Sequence, residues 1–429
     1  MLLTKAEQDI LDGKHGRTLQ KIMKTLVLYG EALEAEKLVD IEWGGQFSIP
    51  FALPGVGPRL AMLNELVDAG LKTTLPFTLD PRAPVDFKAL GTTPEQIELF
   101  GKMLVDQPAY DGAMLKLGLR DKDAYTCTPY LPEVGNIPPK GTVMAWSESS
   151  CVVYANSVLA ARTNRNAAIL DILSNIVGKT PLTGLLTDEG RRATWRIDVK
   201  TRKRPNPQLL GGAIGMKVME DVPFITGLNR FLSPELNPET IDFLKEMGAA
   251  CAAIGAVGLY HIENITPEAV ESGRGLLTSD YKTYTIDDEV LDSIFTAYPV
   301  MWKDKTAKPK KCMIGCPHLS LRELYWWTEE ISNALTAAGQ NQVTLETIMC
   351  AAPQVLEKFQ SDQVAYNRLE QIGVKLSDTC IESYMNNPLC AQDAVVTNSN
   401  KFRAFTPARM FLDAELVQII VSGDLPERD

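Results

Sequence analysis

Apolar residues recur at helical spacing from Arg17 to Val39, at Leu19, Ile22, Met23, Leu26 and Leu33, with Gly30 in the same row. That period predicts an amphipathic helix. Upstream, Thr4 and Glu7 have the spacing of a capping box and predict a short helix. Pro58 to Ala69 predicts another helix, stopped by Gly70, and Thr73 to Leu79 a strand. Thr93-Pro94-Glu95-Gln96 places a cap before a proline at the first helical position and opens a helix to about Val105. Val143 to Trp146 reads as a strand, Ser149 to Ala161 as a helix, and Ala167 to Val177 as a further helix.

The second half alternates more plainly. A helix Pro238 to Ala252 leads to a strand Val257 to Ile262 and a Thr266-Pro267-Glu268 cap. A helix Asp288 to Tyr298 leads to a strand Cys312 to Gly315, the capping box of Ser320 and Glu323, and a helix Leu321 to Ala338. Helix Pro353 to Ile372 ends at Gly373, and strands follow at Val374 to Ser377 and Ala394 to Thr397. Repeated strand–loop–helix units predict α/β layers with a largely parallel or mixed sheet.

With 429 residues the chain exceeds one small core, and two or three subdomains are expected, with breaks near 135–145 and 300–312. The formal net charge of -11 argues against a general nucleic-acid binder. The basic run Lys200 to Arg204 reads as a solvated loop. MLLTKAEQDILDG lacks the features of a signal peptide, and the longest weakly apolar run, Gly248 to Tyr260, is too short to span a bilayer. The expectation is a cytoplasmic protein with no membrane contact, whose 8 cysteines are reduced.

In parallel sheets ligands gather beyond the carboxyl ends of the strands. Cys316 and Cys380 follow predicted strands, Cys127 sits at a similar junction in AYTCTPY, and His261 ends GLYHIE. Cys151, Cys251 and Cys350 lie in or beside apolar helical runs, Cys312 starts a strand, and Cys390 is undecided. Cys312-x-x-x-Cys316 is not a zinc knuckle, and no C-x-x-C pair completes one. Three thiolates at one crevice would leave one iron of an iron–sulfur cluster without a protein thiolate, free to act as a Lewis acid on a substrate. Simple burial of all three is the competing reading. Cys316 also precedes a capped helix, whose N-terminal field is expected to favour a thiolate.

WSESSCVVYANSVLAARTNR, Trp146 to Arg165, resembles the signature of aconitase X large subunits. The likeness covers nearly the whole chain. LTKAEQDILDGKHG, TCTPYL, GKTPLTGL, LYHIENITPEA, IGCPHLSL, SDTC and VVTNSNKF follow in the family's order. The resemblance implies an aconitase-like fold of several α/β subdomains around a central crevice. It implies a hydro-lyase carrying an iron–sulfur cluster on three cysteines, which by motif are Cys127, Cys316 and Cys380. It also implies a small swivelling β domain that contributes a serine to proton transfer. No segment up to Asp429 is read as that domain, so a separate small subunit is expected, with the active site at the interface.

Roles follow with their plainer alternatives. Arg162 and Arg165 suit a carboxylate or phosphate clamp, or else face solvent at a helix end. Glu148, Ser149, Asn156 and Asn164 are candidates to bind substrate or orient the arginines, and Glu148 equally to cap a helix. His261 is a candidate acid, base or substrate contact, against a structural histidine. His318 is placed to donate a hydrogen bond to a cluster sulfur or a carbonyl. Ser399 and Lys401 resemble a family segment near the active site, and Lys401 either binds an anion or faces solvent.

The family's known substrates are cis-3-hydroxy-L-proline and, in an archaeal type, mevalonate 5-phosphate. We expect the hydroxyproline-like substrate first. IEWGGQF (Ile41 to Phe47) lacks a histidine that many members have, and TLDPRAP (Thr78 to Pro84) carries Asp80 where many have an asparagine turn. Those departures leave room for a different pocket, or for a non-catalytic binding or scaffolding relative. A zinc hydrolase is disfavoured, since the 3 histidines lack metal-ligand spacing.

Overall fold

The computed structural model describes residues 1–48, 56–83, 86 and 89–426, so Pro84 and Asp429 lie outside the described residues. Helix starts were the most legible feature. The capping boxes at Thr4, Thr93 and Ser320 form as the sequence predicts. In each, the cap side chain accepts from the third helical N–H while Glu or Gln reaches back to the cap N–H.

The first four strands, β1 (Leu38–Asp40), β2 (Gln46–Phe47), β3 (Thr78–Leu79) and β4 (Lys179–Pro181), form two small sheets. Here β1 runs antiparallel to β4, and β2 parallel to β3. Next come β5 (Ala193–Val199), β6 (Pro223–Thr226), β7 (His261–Ile262) and β8 (Leu277–Ile286), in a parallel sheet ordered β7-β6-β5-β8. The last five, β9 (Lys311–Leu319), β10 (Glu346–Ala351), β11 (Lys375–Ser377), β12 (Val395–Thr397) and β13 (Arg409–Met410), form a second parallel sheet ordered β11-β10-β9-β12-β13. Helices bridge successive strands, as parallel pairing requires. Among the described residues no helix is long and apolar enough to cross a membrane.

Central β9 is buried at all nine positions. Up to Gly315 its side chains alternate between two cores, Cys312 and Ile314 packing into one and Met313 into the other; the irregular end beyond Gly315 then turns Cys316 into the second core as well. The second core joins this sheet to the N-terminal helices through Phe47, Leu79, Tyr125 and Ile381.

Several predicted boundaries move. The helix from Arg17 stops at Ala32, because Glu34 turns left-handed and Leu38–Asp40 pairs as β1. The predicted 353–372 helix breaks at Asp362, whose backbone leaves the helical region while its carboxylate accepts from the N–H groups of Val364 and Ala365. Strands predicted at 73–79 and 257–262 survive only at β3 and β7. The strand predicted at 312–315 extends to Leu319, where Ala351 of β10 pairs with it beyond a register shift. Cys316 therefore lies within an irregular strand end rather than in a loop. Cys350 lies in β10 itself, just ahead of the helix that starts at Pro353. Strands β5, β6, β8 and β10 were not foreseen. In β8 the sequence LTSDYKTYTI is mostly polar and buried only at its two ends.

Gly211-Gly-Ala-Ile-Gly215 lies inside the Pro207–Val218 helix. A Cβ on Gly211 would stand 2.2 Å from the Met247 carbonyl oxygen, and one on Gly215 2.9 Å from that of Cys251. The glycines let this helix touch the backbone of the Pro238–Gly255 helix.

Candidate active site

Six strand or bridge ends converge on one cavity. It is lined by Asp80, Pro81, Cys127, Glu148, Gly315, Cys316, His318, Cys380, Ile381, Glu382 and Lys401. Asp80 follows β3. Cys127 follows the bridge of Tyr125 to Leu79, and Glu148 the bridge of Trp146 to Gln46. Cys316 sits at the irregular end of β9, Cys380 follows β11, and Lys401 follows β12. All lie at carboxyl ends, where parallel sheets leave backbone ends and helix starts free to line a crevice. A wider cavity of about 480 Å³ reaches Gly315 and Cys316 from the side of Gln208, Asp242, Glu246 and Trp327. It meets only one of the three cysteines, so the smaller cavity is the candidate site.

The β9 end explains KCMIGCPHL. Gly315 has φ of 118°, and a Cβ there would stand 2.3 Å from the Cys350 carbonyl oxygen, so only glycine fits. The Cys316–Pro317 peptide is cis. The Cys316 carbonyl accepts from Gln208 Nε2 at 3.3 Å and from the Ser399 hydroxyl.

The thiols are held in place. The His318 N–H donates to Cys127 Sγ at 3.2 Å, and Cys316 Sγ lies 3.0 Å from Glu382 Oε1. Cys151 is no ligand: its Sγ donates to the Cys127 carbonyl at 3.2 Å. Burial pushes the thiols of Cys127 and Cys316 well up, aided by Glu148 and Glu382 respectively, and pushes Cys380 up to about 12. The expected thiolate-favouring field at Cys316 is thus overridden by desolvation and a facing carboxylate.

Lys401 is buried, with Nζ 2.6 Å from Glu148 Oε1, 3.0 Å from Ser150 Oγ and 4.0 Å from Glu382 Oε1. Burial alone would lower its pKa, but Glu148, Glu382, Cys316 and Cys127 outweigh that and raise it well up. Burial likewise opposes ionisation of Glu148, yet Lys401 and the Cys151 N–H hold it below the usual carboxylate range. Glu148 also caps the Ser149–Ser157 helix, accepting from the Cys151 N–H at 2.7 Å, so capping and ion pairing coexist. Asp80 is pushed well up by burial and by the Glu148 charge. One of its oxygens accepts from Ser48 Oγ at 2.5 Å, and among the described residues the buried Oδ1 has no partner.

The other candidates are placed elsewhere or act indirectly. Ser149 Oγ reaches Glu148 Oε1 at 3.3 Å. Asn156 is fully buried and bonds the backbone of Thr163 and Gly258, and Asn164 the backbone of Thr183 and Leu185. Arg162 is tied to the Leu186 carbonyl and to Asp188. Ser399 caps the Asn400–Phe405 helix and holds the Cys316 carbonyl. His261 begins β7 in the other sheet; its Nε2 donates to the Arg191 carbonyl at 2.8 Å and its Nδ1 lies 3.8 Å from Glu268. None of these six residues lines the cavity, because their polar atoms are spent on backbone and neighbouring side chains. Arg165 differs. Its stem lies along Gly258, where a Cβ would stand 3.1 Å from Cδ, and the Glu148 charge reaches it. Glu382 was missed; its signal was an acid in the first turn after Cys380.

Three cysteines on one cavity suit an iron–sulfur cluster. Among the described residues no three His, Cys, Asp or Glu are gathered closely enough for one metal ion. A cluster has several irons, each able to take one thiolate, so its ligands need not meet at one point. Cys127, Cys316 and Cys380 fit that donor set, with Lys401 beside them as a permanent positive charge.

Comparisons with known proteins identify what the chain is similar to. Family descriptions match in three consecutive parts: aconitase X first domain over 1–189, second domain over 193–296 and third domain over 310–419. The chain is 33% identical to a phosphomevalonate dehydratase large subunit of Thermococcus kodakarensis, over 94% of this chain and 96% of that protein. It is 29% identical to a cis-3-hydroxy-L-proline dehydratase of Pseudomonas aeruginosa, over 94% of this chain and 66% of that protein. The crystal structure of a Thermococcus kodakaraensis aconitase X holo-form superposes with a TM-score of 0.80 at 31% identity, covering 98% of this chain and 100% of the other.

Proposed function

The chain belongs to the aconitase X family, and on that premise we propose that it is the large subunit of an iron–sulfur-dependent hydro-lyase acting on a small hydroxy acid. The observation that carries this reading is the meeting of Cys127, Cys316 and Cys380 with the Lys401–Glu148 pair on one cavity. Held by the three cysteines, a cluster supplies a Lewis-acidic iron that makes hydroxide a better leaving group.

This chain's residues do the rest of the work on their side. Lys401 Nζ presents a buried ammonium to the charge that develops on the substrate carboxylate as its α-proton leaves. Glu148 fixes that ammonium and leaves it protonated. Arg165 supplies a guanidinium able to take a carboxylate in a fork. The rest of the proton-transfer machinery comes from a separate small subunit, which also closes the cavity against water.

For the substrate we favour a hydroxyproline-like amino acid. Glu148 and Glu382 outnumber the one lysine in the cavity, while burial and the Glu148 charge favour the neutral form of Asp80, a wall better suited to a substrate bearing a cationic nitrogen than to a phosphate. A second reading, mevalonate 5-phosphate, rests on the higher identity and nearly full-length match of the phosphomevalonate dehydratase large subunits.

The test is anaerobic purification with the small partner, followed by iron, sulfide and visible-spectrum measurements. Cluster-like iron and sulfide with a brown colour are expected. A colourless, iron-free complex would sink the cluster reading. Dehydration of cis-3-hydroxy-L-proline and of mevalonate 5-phosphate, assayed side by side on the loaded complex, decides between the substrates.

A further inference from the structure

One residue touches all three cysteine-bearing segments. His318 stands two positions after Cys316 on β9 and is 1% exposed. Its Nδ1 lies 3.1 Å from Thr126 Oγ1, in the residue before Cys127, 192 residues away in the chain. Its Nε2 lies 3.4 Å from the Thr379 carbonyl oxygen, in the residue before Cys380, 61 residues away. Its backbone N–H donates to Cys127 Sγ at 3.2 Å, and its carbonyl accepts from buried Lys245 Nζ at 3.1 Å. Every polar atom of His318 is thereby committed.

The partners also fix the tautomer. A carbonyl oxygen only accepts, so Nε2 carries the proton and donates to Thr379. Nδ1 then accepts from the Thr126 hydroxyl, which itself accepts from the Thr128 N–H at 3.0 Å. The neutral ring is one donor and one acceptor, aimed at the two segments that β9 does not itself carry.

We propose that His318 is the positioning residue that pins the Cys127 and Cys380 segments to the Cys316 segment, so that the three thiols are already in register before a cluster is bound. This role for His318 rests on the cluster reading above. Among the described residues no backbone pairing joins the Cys127 segment to β9, whose partners are β10 and β12. The imidazole supplies that cross-link with two hydrogen bonds at fixed angles. Groups that orient metal ligands from behind typically change metal retention by about 10–100-fold when removed.

The experiment compares the wild-type complex with H318A and H318Q, loaded anaerobically with iron and sulfide. Iron per chain and the half-life of the visible absorption under a chelator are measured, together with the melting temperature of the apo chain. We expect the half-life to fall about tenfold or more in H318A and less in H318Q, whose amide restores one donor. L277A, in the separate small core of the four-stranded sheet, serves as the control for general destabilisation. Equal half-lives in H318A and wild type overturn the proposal, as does a loss in L277A as large as in H318A at matched melting temperature. Absence of iron from the wild type instead overturns the cluster reading. A further readout needs no variant to fold: nitrogen NMR of ¹⁵N-histidine-labelled apo chain, with only 3 histidines to assign. A neutral Nε2–H ring for His318 is expected, and an Nδ1–H or doubly protonated ring at neutral pH contradicts the pinning geometry.

Discussion

Lys401 and Glu148 show how a residue's role is set by its partners. Both are almost wholly buried and 2.6 Å apart. Removing one charge strands the other in the interior, which typically costs about 3–5 kcal/mol. K401M should therefore lower the unfolding free energy of the apo chain by about that amount in urea titrations. K401M/E148Q should recover part of it, because the stranded carboxylate is gone. His261 carries a pH signature instead. Burial depresses its folded pKa below the usual 6.5, so between those values the unfolded chain binds a proton that the folded chain refuses. Its contribution is present above about pH 6.5 and is lost as pH falls toward the folded value, with a slope of at most about 1.4 kcal/mol per pH unit. Urea titrations at about pH 7 and about pH 5.5 should show a steeper loss for wild type than for H261Q.

At the scale of elements, the glycine row of the Pro207–Val218 helix is a packing device. Met247 presents its backbone carbonyl where a Gly211 side chain would begin, and backbone cannot move aside cheaply. G211A should destabilise by about 1–3 kcal/mol or more through overpacking. G112A, in the Gln107–Leu117 helix with nothing within 4 Å, should be neutral or stabilise by up to about 1 kcal/mol. Opposite signs in the same urea assay check the assignment.

At the scale of the whole molecule, the five-stranded sheet, the N-terminal layer and the helix carrying Lys401 each bring part of one cavity. Cysteine replacements read this directly. C127S, C316S and C380S should each lower bound iron sharply. C312S should keep iron while losing stability, since Cys312 is fully buried in the other core. Iron assays and melting curves on the four variants separate ligands from packing cysteines, and unchanged iron in C316S would mean a wrong ligand set.

The sequence by itself determined where the helices after Thr4, Thr93 and Ser320 begin, because capping is a contract among four consecutive residues. It also determined the α/β class and, through ordered motifs, the family. Cys127, Cys316 and Cys380 stood out as strand-end cysteines for the same reason: position along one strand is local information. Tertiary structure decided everything that depends on who faces whom. Whether β8 and β10 are strands at all was settled by neighbours that offer free backbone edges, since their own patterns are polar or uniformly apolar. Arg162, Asn156 and His261 have the right chemistry for a site but find partners first, and a committed hydrogen-bonding group is not available to a substrate. Glu382, Asp80 and the bridging imidazole of His318 gained their meaning only when chain folding brought distant segments within hydrogen-bonding range.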